Sequence, residues 1–157
     1  MDQLDAWRAL VAVYQSVLHD VVRALENDAG MDSGVFSALA YLARAEPRGR
    51  MHLSELLELM HPRYSQPGLS RLVQRMEADG FVERRADPDD GRATVLQMTR
   101  AGRARFVRAD AIYTDAVREH FGRHLEVTEA RTLQASLDAL LRARATSTSA
   151  SRTVRAR

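Results

Sequence analysis

The chain has 157 residues, 45% hydrophobic and 28% charged, with a formal net charge of +2 and no cysteine. These are the proportions of a globular chain long enough for one domain with a real core. No apolar run approaches the roughly 18 residues of a membrane span, which excludes bilayer insertion, and without thiols there is no disulfide framework, cysteine nucleophile or cysteine redox switch.

Leu4, Trp7, Val11, Tyr14, Leu18, Val21 and Leu25 recur at alternating steps of three and four, the seam of a helix that needs a partner helix. Leu10 and Val17 widen the stripe toward a further neighbour. Gly30 ends this helix, and Ser33 is the expected N-cap of a second, with Val35, Phe36, Leu39 and Leu42 buried and Pro47 and Gly49 closing it. A short helix is predicted over Ser54 to Met60, capped by Ser54, with Leu53, Leu56, Leu57 and Met60 on one face. After the interruption HPRYSQPG, Ser65 caps the next helix, Pro67 sits in its first turn and Gly80 ends it. Leu69, Leu72, Val73 and Met76 form its apolar stripe. Pro67, Ser70, Arg71, Gln74 and Ala78 lie opposite, flanked by Gln66 and Arg75.

Phe81 to Ala86 and Arg92 to Met98 read as two strands around the turn residues DPDDG, a hairpin with a long tip. Thr99 caps a long helix to about Phe121, with Ala104, Val107, Ala111 and Val117 among its expected buried positions. A last helix starts at Thr128 and places Leu133, Leu137, Leu140 and Leu141 on an apolar face. The closing TSTSASRTVRAR has no apolar period and reads as a flexible tail. The predicted fold class is therefore mostly α with a small β-hairpin wing (α+β), a winged helix-turn-helix with long N- and C-terminal dimerisation helices. Within one intertwined domain, residues 1–30 are the N-terminal dimerisation helix, 31–100 the winged helix-turn-helix, 101–145 the C-terminal dimerisation helices and 146–157 the tail.

All basic residues are arginine, and they are zoned. Residues 63–108 hold ten arginines against six acids, whereas residues 1–60 hold five against nine and residues 109–145 five against six. A basic zone between near-neutral or acidic flanks is the footprint expected where a surface meets a polyanion. A helix with one anchoring stripe and an opposite face of Ser, Gln and Arg fits the major groove of duplex DNA, and a basic hairpin beside it is narrow enough for the neighbouring minor groove. A single such pair reads few bases. Two copies about one helical turn apart, roughly 34–36 Å, would read a palindrome.

The segment LSELLELM…SQPGLSRLVQRMEADGFVERRADPDDGRATVLQMTRAGR resembles the MarR family of bacterial transcriptional regulators. The family pattern of short helix, recognition helix S-x-x-x-x-SRLVxRLExxGxVxR, wing DPxDxRA and closing LTxxGR is matched in order, closely over about residues 34–105. The resemblance implies a homodimer interlocked through its first, fifth and sixth helices, palindromic double-stranded DNA as partner, and a repressor released by a small aromatic effector. By position, it implies DNA contact from Ser65, Gln66, Pro67, Ser70 and Arg71, to which the outward projection adds Gln74 and Arg75. Arg84 and Arg85 would meet phosphates at the base of the wing, and Asp90 would orient Arg92 into the minor groove. Two departures stand out: Gly91 replaces a third basic or polar wing residue, implying one phosphate contact fewer, and the turn MHPRYS is longer than the family's LGxS.

Other readings compete at several positions. Arg71 and Arg75 could pair with Glu77, Asp79 or Glu83 on a solvated face, and Asp90 with Arg92 could be a turn salt bridge. Trp7 and Tyr14, with His19, are the candidates for a ligand pocket, although a/d-like aromatics are more often core. His120 and His124 have the i, i+4 spacing of a helical metal pair, but no thiolate or obvious third ligand accompanies them, so no metal and no cofactor are expected. Serines lack a neighbouring His and acid in any known motif, and DDGR is a hairpin tip rather than a phosphate cradle, so no enzyme is expected. The alternative function is an architectural double-stranded DNA-binding protein without ligand response. The N-terminus MDQLDAWRAL does not read as a signal peptide, and the absence of cysteine suits a cytoplasmic protein, the expected location.

Overall fold

Three helices of this chain, those after Asp32, Ser65 and Thr99, begin where a side-chain oxygen accepts from free backbone N–H groups, and Gly30 and Gly80 each follow a helix with left-handed backbone. The computed structural model describes residues 2–45, 49–87 and 93–155, with side chains as far as residue 144. Helix α1 spans Gln3–Asn27, and Gly30 follows it at φ +56. Helix α2 spans Ser33–Arg44 and is capped by Asp32, whose Oδ1 accepts from the N–H of Gly34 at 2.9 Å and of Val35 at 3.0 Å. Ser33, the expected cap, is instead the first helical residue, because the carboxylate one position earlier satisfies two donors at once.

Strand β1 (Arg50–His52) runs directly into helix α3 (Leu53–Met60), so Ser54 lies inside the helix rather than capping it, and no side chain caps that start. Helix α4 (Gln66–Ala78) begins as expected: Ser65 Oγ accepts from the Gly68 N–H at 3.3 Å, Pro67 sits in the first turn, and Gly80 follows at φ +71. Strands β2 (Val82–Ala86) and β3 (Thr94–Met98) lead to helix α5 (Arg100–His120), where Thr99 Oγ1 accepts from the Gly102 N–H at 2.9 Å. A single 3-10 turn, Gly122–His124, precedes helix α6 (Val127–Arg155). In α6 the backbone stays helical to Arg155, through most of the segment expected to be a flexible tail. No proline or glycine interrupts the sequence there.

The two predicted strands pair antiparallel, with Val82 opposite Met98 and Ala86 opposite Thr94. β1 adds itself to the other edge of β3, Met51 opposite Leu96, so the sheet order is β1-β3-β2. The central strand is consequently the buried one: Val95, Leu96 and Met98 are enclosed, whereas only Val82 is buried on β2. Val35, Phe36, Leu39 and Leu42 of α2, Leu56 and Met60 of α3, and Leu69, Leu72, Val73 and Met76 of α4 complete this core.

The chain divides into two compact units, residues 1–117 and 118–157. In the first, α1 gives only Val21 and Leu25 to the core; Val11 and Leu18 are half-buried and Leu4, Trp7 and Tyr14 are exposed. Trp7 and Tyr14, each 61% exposed, are thus not core residues of this chain. Their half of α1 carries an exposed apolar stripe of Leu4, Trp7, Leu10 and Tyr14. α5 also departs from expectation: Ala104, Val107 and Ala111 are exposed or only half-buried, as is Val117, while Gly102, Ala109 and Ala116 face inward with Phe106 and Ile112. This helix has two apolar faces. The core takes the one whose aromatics stack, Phe106 and Tyr113 standing 5.7 and 4.8 Å from the Phe36 ring. In the second unit, Leu133 and Leu137 are half-buried, and Leu140 and Leu141 lie exposed at 60% and 66%. Among the described residues, no helix is long and apolar enough to cross a membrane.

Candidate nucleic-acid interface

Burying Leu69, Leu72, Val73 and Met76 leaves the opposite side of α4 in water. Gln66, Pro67, Arg71, Gln74, Arg75 and Ala78 are exposed and Ser70 half-buried, as the projection predicts. Ser65 is exposed too, but its hydroxyl is committed to the cap. The hairpin of β2 and β3 follows at once, with Glu83, Arg84 and Arg85 exposed on its outer strand. One short helix and one β-ribbon edge therefore present polar and basic groups from adjacent segments.

The arginines of this surface are not equivalent. Arg75 Nη2 lies 3.3 Å from Asp32 Oδ1, Arg84 Nε 2.8 Å from Glu77 Oε2, and Arg85 Nη2 2.8 Å from Glu83 Oε2. Arg71 makes no ion pair among the described residues and projects from the middle of the helix. Asp32 was not among the acids expected to pair with this helix. Glu77 belongs to α4 but holds Arg84 of β2, which ties the base of the hairpin to the helix. Asp90 and Arg92, at the hairpin tip, lie outside the described residues.

Two further arginines of the basic zone are used internally, which sequence reasoning missed. Arg105 donates to the carbonyls of Ala29 and Gly30, the latter at 2.9 Å, closing the end of α1. Arg63 Nη2 donates to Ser33 Oγ at 2.6 Å, and its guanidinium stands 5.9 Å from the centre of the Tyr64 ring. At the opposite edge of the sheet, His52 Nε2 lies 3.2 Å from Asp87 Oδ2, so β1 holds the point where β2 leaves for the hairpin tip.

A cavity of about 300 Å³ opens between α1, α2 and α5, with Tyr14, Phe36, Tyr41, Arg44, Arg63 and Tyr113 in its wall. Of the ligand-pocket candidates, Tyr14 lines it; Trp7 and His19 do not. His120 ends α5 and His124 lies in the 3-10 turn, so the pair does not share a single helix face. No cluster of three metal-ligating side chains occurs among the described residues.

Residues 29–93 match the family model described as MarR family. No curated protein sequence matches the chain. Among solved structures, AbsC, a MarR family transcriptional regulator from Streptomyces coelicolor, is 24% identical with a TM-score of 0.77, covering 89% of this chain and 92% of its own. Sco3205, a MarR family transcriptional regulator from the same organism solved in complex with DNA, is 26% identical with a TM-score of 0.76 and 88% of each chain covered. A mutant MarR from E. coli complexed with operator DNA is 21% identical with a TM-score of 0.69, covering 90% of this chain and 99% of its own. The matched segment holds α2, β1, α3, α4 and β2 and stops short of β3, and the fold shared with these structures extends over most of the remaining chain: over residues 29–93 this protein is similar to the MarR family.

Proposed function

We propose that the protein is a homodimeric, sequence-specific DNA-binding transcriptional regulator, a repressor released by a small aromatic ligand. The observation that carries this reading is the exposed Arg71, without an ion pair among the described residues, in the middle of a helix whose other side is wholly buried, with a basic hairpin next to it. Such a helix enters the major groove and can place Arg71 against a guanine edge, with Gln66, Pro67, Ser70 and Gln74 around it. The complexes of Sco3205 and of MarR with DNA support the same use of the fold here. Asp90 and Arg92 would complete the wing in the minor groove, and Arg84 and Arg85 would flank the phosphates.

Competition binding tests specificity. A palindromic duplex from the region upstream of the encoding gene should bind about 10³-fold or more tighter than scrambled duplex at physiological salt. Equal affinity for both would leave an architectural DNA-binding protein instead.

The exposed stripe Leu4, Trp7, Leu10 and Tyr14, and in the second unit Leu140 and Leu141, supports dimerisation, since contiguous apolar surface of this kind marks an interface. Sedimentation should give twice the chain mass at micromolar concentration, and Trp7→Glu should shift it toward monomer; a monomeric wild type sinks this part of the reading. The ligand would occupy the cavity beside Tyr14, whose aromatic walls, with the Arg44 and Arg63 guanidinium groups and the Asp110 carboxylate among the lining, suit a small aromatic molecule.

A further inference from the structure

Three consecutive residues at the start of α2 each touch the last turn of α4 or the residues that lead into it. Asp32 Oδ1, already accepting two backbone N–H groups of α2, lies 3.3 Å from Arg75 Nη2 in the last turn of α4. Ser33 Oγ accepts from Arg63 Nη2 at 2.6 Å. Gly34 has no side chain, and a Cβ built there would fall 1.9 Å from Tyr64 Oη, so the tip of that ring rests against the helix backbone. Arg63 and Tyr64 immediately precede Ser65, the N-cap of α4. One corner thus grips the entry to α4 and its exit. The corner is itself fixed, because Val35, Phe36, Ala38, Leu39 and Leu42 of α2 are all buried.

We infer that Asp32 and Ser33 are positioning residues that set the attitude of α4, and that Arg75 and Arg63 serve as its tethers rather than as contacts to DNA. The chemistry separates the two roles for Arg75. Its guanidinium is shared with a carboxylate whose two capping bonds hold it still, so moving Arg75 to a phosphate would strand that carboxylate beside a polyanion. Arg71, with no such carboxylate among the described residues, has no equivalent restraint. The inference rests on the DNA-reading role proposed above for α4, and it changes which of its arginines are expected to meet the duplex.

The test uses the full-length protein and the tightest duplex that the wild type selects from a random-sequence pool. Asp32→Asn keeps a capping oxygen for α2, since Asn caps as well as Asp, but removes the charge facing Arg75. Asp32→Asn and Arg75→Gln should each weaken binding about two- to fivefold, as befits a partly exposed pair. The double variant should be no weaker than the weaker single one, because both remove the same interaction. Arg75→Lys should restore most of the affinity, and the slope of log K against log salt should match wild type throughout. A slope smaller by about one unit for Arg75→Gln, with Asp32→Asn binding as well as or better than wild type, would put Arg75 on a phosphate and overturn the inference.

Amide hydrogen exchange on the free protein supplies a readout independent of DNA. In Asp32→Asn and in Ser33→Ala, amides of α4 should exchange several-fold faster while those of α2 and the sheet keep their rates. Unchanged α4 rates refute the clasp. Failure to select any preferred duplex would refute the DNA-reading role alone, leaving the exchange result to decide the clasp.

Discussion

Replacing Arg71 with alanine weakens binding to the preferred duplex by about fivefold to more than a hundredfold, the equivalent of about 1–3 kcal/mol for one bidentate base contact. The expectation rests on what surrounds the side chain. Arg71 is exposed, stands beside the buried Leu72 and Val73 that anchor α4, and has no acidic partner among the described residues to be released from. Binding therefore breaks no ion pair described there. Arg85→Ala, by contrast, removes a side chain already shared with Glu83 and should cost less. Two measurements identify the role of Arg71. Loss of affinity confined to the preferred duplex, with preference relaxed at one base pair, marks a base contact; uniform loss across sequences, with a shallower salt dependence, marks a phosphate contact. No loss on either duplex would remove α4 from the interface and with it the proposed mode of reading.

The apolar stripe of α4 was legible because four residues at i, i+3, i+4 and i+7 leave a helix one way to lie, and Ser65, Pro67 and Gly80 punctuate it with unambiguous chemistry. β1 was not legible. Three residues give no alternation to detect, and Arg50–His52 becomes a strand only because β3 offers a free edge. Helix α5 misled for another reason: Ala104, Val107 and Ala111 have the right spacing for burial, but Phe106, Ala109 and Ile112 have it too, and the choice depends on the Phe36 ring from a distant part of the chain.

The site shows the same division. Which residues of α4 face outward follows from 100° per residue, and the structure leaves them exposed apart from the half-buried Ser70. Which arginines are held does not follow, since Arg75 pairs with Asp32 of the α2 cap and Arg63 with Ser33, partners that lie in a different helix. Counting ten arginines marks a basic zone of the sequence, in which Arg63 and Arg105 are bonded within the chain. Only the ion pairs distinguish tether from available cation.

Gly102→Ala should destabilise the fold by about 1–3 kcal/mol, the cost of forcing a methyl group into a filled site, although the same change in an open helix would stabilise it by about 1 kcal/mol. Gly102 lies in the first turn of α5, where a Cβ would stand 2.1 Å from the carbonyl oxygen of Phe81, 2.9 Å from its carbonyl carbon and 3.0 Å from its Cα. Those are backbone atoms, so no rotamer change relieves the overlap. Nor is the Phe81 backbone free to retreat: its carbonyl accepts from the Thr99 N–H at 3.0 Å, and Thr99 Oγ1 donates to the carbonyl of Gly80 at 2.7 Å while accepting from the Gly102 N–H. The start of α5 is thus bolted to the turn that joins α4 to β2, and a methyl group there pushes on the link between helix and hairpin. Gly80→Ala is the matched control. Gly80 has φ +71, and a methyl group added to it would meet nothing within 4 Å, so its substitution carries only the left-handed backbone strain of roughly 1–2 kcal/mol. Urea denaturation compares the two directly. Gly102→Ala should also weaken DNA binding beyond its loss of folded protein, because the hairpin is displaced relative to α4, whereas Gly80→Ala changes stability with no clash to transmit. A Gly102→Ala protein as stable as wild type would mean that α5 can shift at no cost, and the contact with Phe81 would then not be what holds the hairpin against the helix.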